Sequence, residues 1–222
     1  MSIIFLATWT TFIISYVQDY NHQRANIWTR LPLHMCSINV TLYPLFFGLR
    51  KKIRPFFSST LFAYMYFFGS AGAVLAMVVT APSDCLGPTI HLLNYNVFTY
   101  WLKHGLIFIL PILFVILGFY QPKLIDIVKA CVFLIGLLCI MELVNLLFSW
   151  FNELNGGTGI CNYFYTRTGK GTAVLEQFYN FLPYELIYMF PLAIIAIPIF
   201  FIYYLPIGII EYVKKRNKTK RI

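Results

Sequence analysis

The chain has 222 residues with a formal net charge of +9, and 59% of its residues are hydrophobic, 19% aromatic and only 11% charged. Soluble domains carry about 25% charged residues, and the mean hydropathy here is +0.72. This composition excludes an ordinary soluble domain, because a fold of this size has too little interior for so much apolar surface. It predicts a single all-α integral membrane domain, 1–222.

Six apolar segments approach the length of about 20 residues that a helix needs to cross a bilayer. They are residues 2–17, 31–49, 56–80, 96–119, 127–151 and 183–210, and a basic tail, 211–222, follows them. The first segment has no basic region before it and no small residues for cleavage after it, so we interpret it as a span and not as a signal peptide. The pattern predicts a polytopic bundle of about six spans. A seventh, re-entrant element around 175–182 stays open.

The basic residues are distributed unevenly between the two predicted sides. With both termini in the cytoplasm, twelve of the 17 lysines and arginines lie inside and five lie outside. This bias is typical of membrane proteins, whose cytoplasmic loops are enriched in positive charge. Basic clusters beside spans contact anionic lipid head groups. The charge therefore indicates membrane phospholipids as partners and does not indicate nucleic acid.

The five cysteines do not form a metal-binding or disulfide pattern. None stands in a C-x-x-C pair, so we predict no metal site and no cofactor. Cys85 and Cys161 fall in loops on the same predicted side, and the sequence does not decide whether they pair. Cys131 and Cys139 are typical of core packing.

Several polar residues lie inside the predicted spans, where each needs a partner or a function. At about 1.5 Å of rise per residue, they fall in the same outer third of the bilayer, and antiparallel packing would gather them into one chamber. Most of them form three short rows, each on one helix face: Cys36, Asn39 and Tyr43; Asn96, Tyr100 and His104; Cys139, Glu142 and Asn145. His34 lies beside the first row, and Lys103 lies beside the second.

The chemistry that this set predicts is a cysteine nucleophile with a histidine base. Cys36 would be the nucleophile, and His104 or His34 would deprotonate it. Asn39 or Glu142 could orient the imidazole, as the third member of a triad does. We also expect contacts to the substrate from this chamber, and Lys103 could stabilise a thiolate, a phosphate or a developing oxyanion. The predicted substrate-binding residues are Asn39, Tyr100, Lys103, Glu142 and Asn145.

Each of these residues also has a purely structural interpretation. A cysteine in a membrane helix is more often a packing residue than a nucleophile. A histidine can be satisfied by a neighbouring carbonyl or hydroxyl, Glu142 can join two helices, and the ammonium of Lys103 can reach out to the interface. The clustering at one depth is what favours the functional interpretation.

Short segments of the chain resemble the bacterial YwaF-like integral membrane proteins. Leu31-Pro32-Leu33-His34-Met35-Cys36 resembles their LPLHLC segment, and Lys103-His104-Gly105-Leu106 resembles their HGL segment. Asn162-Tyr163 and residues 175–206 are similar to the family's last loop and final span. At 180–184 the sequence NFLPY departs from the WPWY-like pattern of the family. The resemblance extends over most of the chain.

This family is grouped with the transmembrane protein 164 acyltransferases of animals. The resemblance therefore implies a function similar to theirs. Those enzymes move a fatty acyl chain between glycerophospholipids through a cysteine, with an assisting histidine. The resemblance implies that Cys36 is the acyl-accepting residue and His104 the assisting one, while His34 matches the bacterial pattern only. It implies an acyltransferase of lipid metabolism in the cell membrane, by analogy the bacterial plasma membrane.

Two other classes of function stay open at this point. The polar groups could bind a small solute in a transporter or in a substrate-binding membrane subunit, although paired Gly/Pro-interrupted helices, which mark many transporters, are missing. The chain could also be an assembly partner that docks another subunit through its basic tail. If water accepts the acyl group, the acyltransferase would be a lipase.

Overall fold

The computed structural model describes residues 10, 13, 28, 31, 33–49, 55–79, 95–170 and 172–219. Within these ranges the side chains of 44–49, 55–57, 95–96, 173, 193 and 210–219 are not described. Every regular element in this part of the chain is helical. The predicted helical membrane bundle is therefore confirmed.

Seven α-helices and three short helical turns make up the described part of the chain. They are α1 (Met35–Leu49), α2 (Pro55–Tyr64), a π-helical turn (Met65–Gly69), α3 (Ser70–Val78), α4 (Tyr95–Ile116), α5 (Leu124–Leu154), a 3-10 turn (Tyr163–Tyr165), α6 (Ala173–Phe181), a second 3-10 turn (Ile187–Met189) and α7 (Phe190–Thr219).

Four helical segments of the described chain are long and apolar enough to cross a membrane: Ser58–Val78, Val97–Ile116, Leu124–Leu154 and Ile187–Ile209. The fifth of the predicted spans, 127–151, lies within a longer helix. The predicted sixth span, 183–210, becomes helical only at Ile187, and α7 continues into the predicted tail. The predicted first span, 2–17, lies outside the described residues apart from Thr10 and Ile13.

The region predicted as a seventh, re-entrant element contains α6. This helix has nine residues, and at about 1.5 Å per residue it is too short to cross a bilayer. The number of spans stays a prediction, because α1 has only 15 residues and the first predicted span is not described.

The core lies where α2, the π-helical turn and α3 pass between the other helices. This segment packs against α5 through α2 and against α4 through α3, and α1 also packs on α4. The side chains at its centre are almost completely buried: Phe62, Ala63, Tyr64, Met65 and Phe67 expose 1% or less of their surface. Because lipid tails are as apolar as these side chains, close packing must hold the helices together. Phe200 of α7 completes this aromatic core beside Phe67 and Phe68.

The start of α5 is held by a buried carboxylate. Asp126 accepts hydrogen bonds from the Lys123 backbone N–H at 3.0 Å and from the Tyr120 hydroxyl at 2.6 Å. It also pairs with the Lys129 ammonium at 2.7 Å. An acidic side chain in the first turn satisfies otherwise unpaired N–H groups and suits the positive end of the helix dipole. This cap sets the helix start three residues before the predicted boundary at 127.

Candidate functional site

The centre of the candidate site is a contact between two helices. Cys36 lies in the first turn of α1, and His104 lies in the middle of α4 with only 4% of its surface exposed. The thiol Sγ and the imidazole Nε2 are 3.0 Å apart. This is within hydrogen-bonding distance, so the structure brings together the two residues that the sequence analysis selected first.

The tautomer of His104 follows from its other partner. Its Nδ1 lies 2.8 Å from the backbone carbonyl oxygen of Tyr100, one turn earlier in α4. A carbonyl only accepts hydrogen bonds, so Nδ1 carries the proton in the neutral ring and Nε2 is left to accept from the thiol. The group that orients the imidazole is therefore the Tyr100 carbonyl, and the expectation that Glu142 or Asn39 has this role is wrong.

The side chain of Tyr100 packs against the imidazole ring of His104. The centroids of the Tyr100 and His104 rings are 4.2 Å apart. The Tyr100 hydroxyl donates a hydrogen bond to the Ala76 carbonyl at 2.8 Å, which ties α4 to α3. Tyr100 was predicted to bind substrate, and the contacts of the described chain give it a positioning role. Asn96, the third member of its row, has no described side chain.

Two further basic side chains lie around the thiol. The Lys103 ammonium interacts electrostatically with the side chains of His34, Cys36 and His104. His34 precedes α1 directly and is exposed. Its ring packs between the rings of Tyr163 and Tyr165, with centroid distances of 5.5 and 5.3 Å. Among the predicted residues, the Lys103 ammonium and the His34 ring form one margin of the site, and Lys103 supplies its positive charge.

Asn39 lies one turn after Cys36 and is 2% exposed. It packs against Gly69, where an added Cβ would lie 3.7 Å from both polar atoms of the Asn39 amide. Tyr64 is fully buried nearby, and its hydroxyl interacts electrostatically with Cys36 and approaches the Asn39 amide. The predicted side chain Asn39 thus lines the same interior as the thiol, while Tyr43 donates its hydroxyl to the Ile107 carbonyl.

Glu142 and Asn145 bind the loop after α5 that contains residues 162–168 instead of the imidazole. Asn145 is fully buried and donates to the Tyr163 carbonyl at 2.9 Å and to the Thr166 hydroxyl at 2.8 Å, and it accepts from the Tyr163 N–H at 2.8 Å. Glu142 accepts from the Thr166 hydroxyl at 2.6 Å and pairs with Arg167 at 3.1 Å. These bonds satisfy both side chains, so their burial needs no ligand. Binding of substrate by them stays a prediction that no contact supports.

The loop that these residues hold has an unusual backbone. Phe164 and Tyr165 both have φ of 57°, a left-handed conformation that is costly for bulky side chains. The bonds from Asn145 on one side and from the Tyr188 hydroxyl to the Tyr165 carbonyl on the other fix this conformation. Burial raises the pKa of the Tyr163 hydroxyl above its ordinary range, and the hydroxyl donates to the Trp28 carbonyl at 2.7 Å.

The other three cysteines in the described part of the chain do not join the site. Cys161 is a buried free thiol that lies 3.1 Å from the Trp28 carbonyl, and burial raises its pKa. Its proposed partner, Cys85, lies outside the described residues. Cys131 and Cys139 line an apolar cavity of about 50 Å³ between α5, Phe68 and the start of α7. That volume holds a few water-sized groups and is far too small for a fatty acyl chain.

Four contributors to this region were not among the predicted site residues. Tyr64 lies on a different helix from every predicted row, and only the folded packing brings it to Cys36. Thr166 and Arg167 lie in a loop, where a polar residue attracts no notice. A signal did exist for Asn162, whose amide oxygen accepts from the N–H groups of the loop, because asparagine before a turn commonly bonds the following backbone.

The described residues contain no group of three His, Cys, Asp or Glu side chains that could hold a metal ion. What the site offers chemically is a thiol, a neutral imidazole that can take its proton, an ammonium group and buried polar groups beside them. This set can support nucleophilic transfer of an electrophilic group.

Comparison with known proteins identifies the family of this chain. No curated protein and no solved structure matches the chain. The sequence profile of the TMEM164 family matches residues 1–204, which include every residue of the site. The chain is therefore a membrane protein that belongs to the TMEM164 family.

Proposed function

We propose that this protein is a membrane-embedded acyltransferase that moves a fatty acyl chain from a phospholipid to a second acceptor through a thioester on Cys36. The observation that carries the proposal is the 3.0 Å contact between Cys36 Sγ and His104 Nε2 at a buried helix interface. A structural cysteine needs no base, whereas a nucleophilic cysteine needs one within hydrogen-bonding distance. Membership of the TMEM164 family supports a membrane location for the reaction.

In the first half of the reaction, His104 Nε2 takes the thiol proton as Cys36 Sγ attacks the ester carbonyl carbon. A sulfur–carbon bond forms, the ester carbon–oxygen bond breaks, and His104 returns the proton to the departing lysophospholipid oxygen. In the second half, a hydroxyl or amine attacks the thioester and gives its proton to His104, and the sulfur leaves and is reprotonated. The Nδ1–H bond to the Tyr100 carbonyl keeps the ring in the required tautomer throughout.

The basic margin of the site suits the head group of the donor. Lys103 interacts electrostatically with the thiol and with both imidazoles, so a phosphate bound to it would lie close to the reacting ester. An ammonium binds phosphate as a point charge that adapts to its position. His34 is exposed at the same margin and is assigned here to head-group contact and not to proton transfer, because the Cys36 thiol contacts His104.

The proposal is tested with purified protein in liposomes that contain a phospholipid with a fluorescent acyl chain and an unlabelled lysophospholipid. Cys36→Ala and Cys36→Ser should reduce acyl exchange to background. Cys139→Ala is the matched control, because that free thiol lies on the exposed surface of α5 and should leave exchange unchanged. Undiminished exchange in Cys36→Ala would refute the cysteine mechanism.

The same experiment separates the other classes of function. Release of free fatty acid without lysophospholipid acylation would identify water as the acceptor and the protein as a lipase. Solute uptake that survives Cys36→Ala, with no acyl exchange in the unaltered protein, would identify a carrier. Loss of function on removal of residues 214–222 alone would favour an assembly partner.

A further inference from the structure

Three buried polar atoms in the described part of the chain have no hydrogen-bond partner: Asn39 Oδ1, Tyr64 Oη and Ser70 Oγ. All three side chains expose 2% or less of their surface. An unpaired polar atom in a protein interior is costly, and in native structures it calls for a specific explanation. Two of the three, Asn39 and Tyr64, are next to the candidate nucleophile.

The placement of Asn39 relative to the thiol follows from helix geometry. It is three residues after Cys36 on α1, so the two side chains share a helix face. The absence of a side chain at Gly69 lets the Asn39 amide pack directly on the backbone of the π-helical turn. Single π-helical turns within longer helices are often found at functional sites.

Tyr64 reaches the same interior from the other helix. It is the last residue of α2, directly before the π-helical turn. Its ring packs on Phe133 of α5 with a centroid distance of 4.9 Å, which fixes the direction of the hydroxyl. That hydroxyl interacts electrostatically with Cys36 and approaches the Asn39 amide. A buried hydroxyl without a hydrogen-bond partner therefore lies near the thiol.

We infer that Tyr64 Oη and the Asn39 amide form an oxyanion-binding site that donates hydrogen bonds to the carbonyl oxygen of the acyl group as Cys36 attacks it. The inference rests on the proposed acyl transfer. A phenol hydroxyl and a side-chain amide are both established donors for such oxyanions. Rotation of the Asn39 side chain by half a turn exchanges its oxygen and nitrogen, so the amide N–H can face the substrate while its oxygen faces the Gly69 backbone.

The electron movements define what these donors do. As the sulfur–carbon bond forms, the electron pair of the carbonyl double bond moves to the oxygen and leaves it negatively charged. The Tyr64 O–H and the Asn39 N–H stabilise this charge. When the pair returns and the double bond re-forms, the ester carbon–oxygen bond breaks, and the departing oxygen takes its proton from His104. Neither Tyr64 nor Asn39 gains or loses a proton.

This assignment separates two reactions of the same thiol. Transfer from a 4-nitrophenyl ester of a fatty acid passes through an oxyanion, whereas alkylation by iodoacetamide displaces iodide from a saturated carbon and forms none. We therefore propose to measure both reactions on Cys36 by mass spectrometry of the full chain in liposomes. Tyr64→Phe removes the hydroxyl and keeps the ring. Tyr66→Phe is the matched control, since that buried hydroxyl donates to the Tyr203 carbonyl.

Loss of one oxyanion donor slows a reaction by about 100- to 1,000-fold. We expect Tyr64→Phe to slow acylation of Cys36 by about 100-fold, with alkylation unchanged, and Tyr66→Phe to change neither. Where Tyr64→Phe does not fold, Asn39→Leu, which is close in shape and apolar, should give a smaller loss of acylation with alkylation again unchanged.

Acylation at the unaltered rate in Tyr64→Phe would overturn the oxyanion assignment, and the two atoms would then be interpreted as partners of a buried water. Equal losses of acylation and alkylation would also overturn it, because they would show that Tyr64 only positions the thiol. Both results leave acyl transfer through Cys36 intact. Normal acyl exchange by the Cys36→Ala variant would refute the proposed function itself, and it would refute the oxyanion assignment as well.

Discussion

Replacement of His104 by glutamine tests the assignment of the base most directly. Glutamine has a similar length and can still donate to the Tyr100 carbonyl, but it cannot accept a proton at neutral pH. A positioned general base contributes about 100- to 10,000-fold to a rate, and at about 1.36 kcal/mol per tenfold this is about 2.7–5.5 kcal/mol. The contact of 3.0 Å between Sγ and Nε2 already exists in the resting protein, so the full effect should be lost.

Part of this magnitude can be assigned to deprotonation of Cys36. An ordinary thiol is mostly protonated at pH 7, and burial disfavours its charged form further, so loss of the base lowers the fraction of thiolate that is available for attack. The remainder comes from the leaving oxygen, which no longer receives a proton from His104. We therefore expect His104→Gln to lower acyl transfer more than it lowers simple alkylation of Cys36.

The pH dependence of the two reaction rates distinguishes a base from a residue with a purely structural role. As pH rises, the thiol of His104→Gln ionises without help, so its deficit in iodoacetamide alkylation should shrink about tenfold per pH unit until the thiol has titrated. Its deficit in acyl transfer should shrink less, because the leaving oxygen still lacks an acid. A variant that alkylates and acylates at the unaltered rate, or whose deficits do not depend on pH, would refute the assignment of His104 as the base.

Three other substitutions have defined outcomes. Lys103→Met should raise the KM for an anionic phospholipid donor by about tenfold, equivalent to about 1.4 kcal/mol, and an unchanged KM would exclude head-group binding by this ammonium. Asn145→Ala should lower the free energy of unfolding by about 2–4 kcal/mol, since it removes three buried hydrogen bonds and leaves their partners unsatisfied; an unshifted Tm would contradict this. Phe67→Ala should cost about 3–5 kcal/mol, measured by thermal denaturation in detergent, because this side chain is fully buried against Phe200.

The pairing of Cys36 with His104 was accessible from the sequence for a physical reason. Ionisable and thiol groups are rare inside apolar spans, so the few that exist at a similar depth have few alternative partners. Helix periodicity then gives the faces on which they lie. Neither rule gives the rotation of one helix about its axis relative to another, so they place groups at one depth without showing which of them touch.

Glu142 and Asn145 show the consequence of that missing rotation. Depth placed them in the chamber of Cys36, but their hydrogen bonds go to Thr166, Arg167 and the backbone of Tyr163. These partners are 18–25 residues away along the chain, in a loop that folds back onto α5. Tyr64 was missed for the complementary reason, since the π-helical turn that follows it breaks the regular period on which face assignments depend.

The loop that contains residues 162–168 and the nucleophile are nevertheless connected through His34. The ring of His34 packs on Tyr163 and Tyr165, and Asn145 fixes the backbone of Tyr163. His34 comes directly before α1, so these contacts link the loop to the beginning of that helix. The unpaired N–H groups and positive dipole end of a helix start stabilise an adjacent thiolate.

Burial disfavours the thiolate of Cys36, and three features of the site act against this: the beginning of its own helix, the imidazole of His104 that takes the proton, and the charge of Lys103. The beginning of the helix is in contact, through the His34 ring, with the loop that Glu142 and Asn145 hold in place. The polar row of α5, which sequence analysis read as ligand-binding, thus has a physical route to the reactivity of the thiol without contact to a substrate.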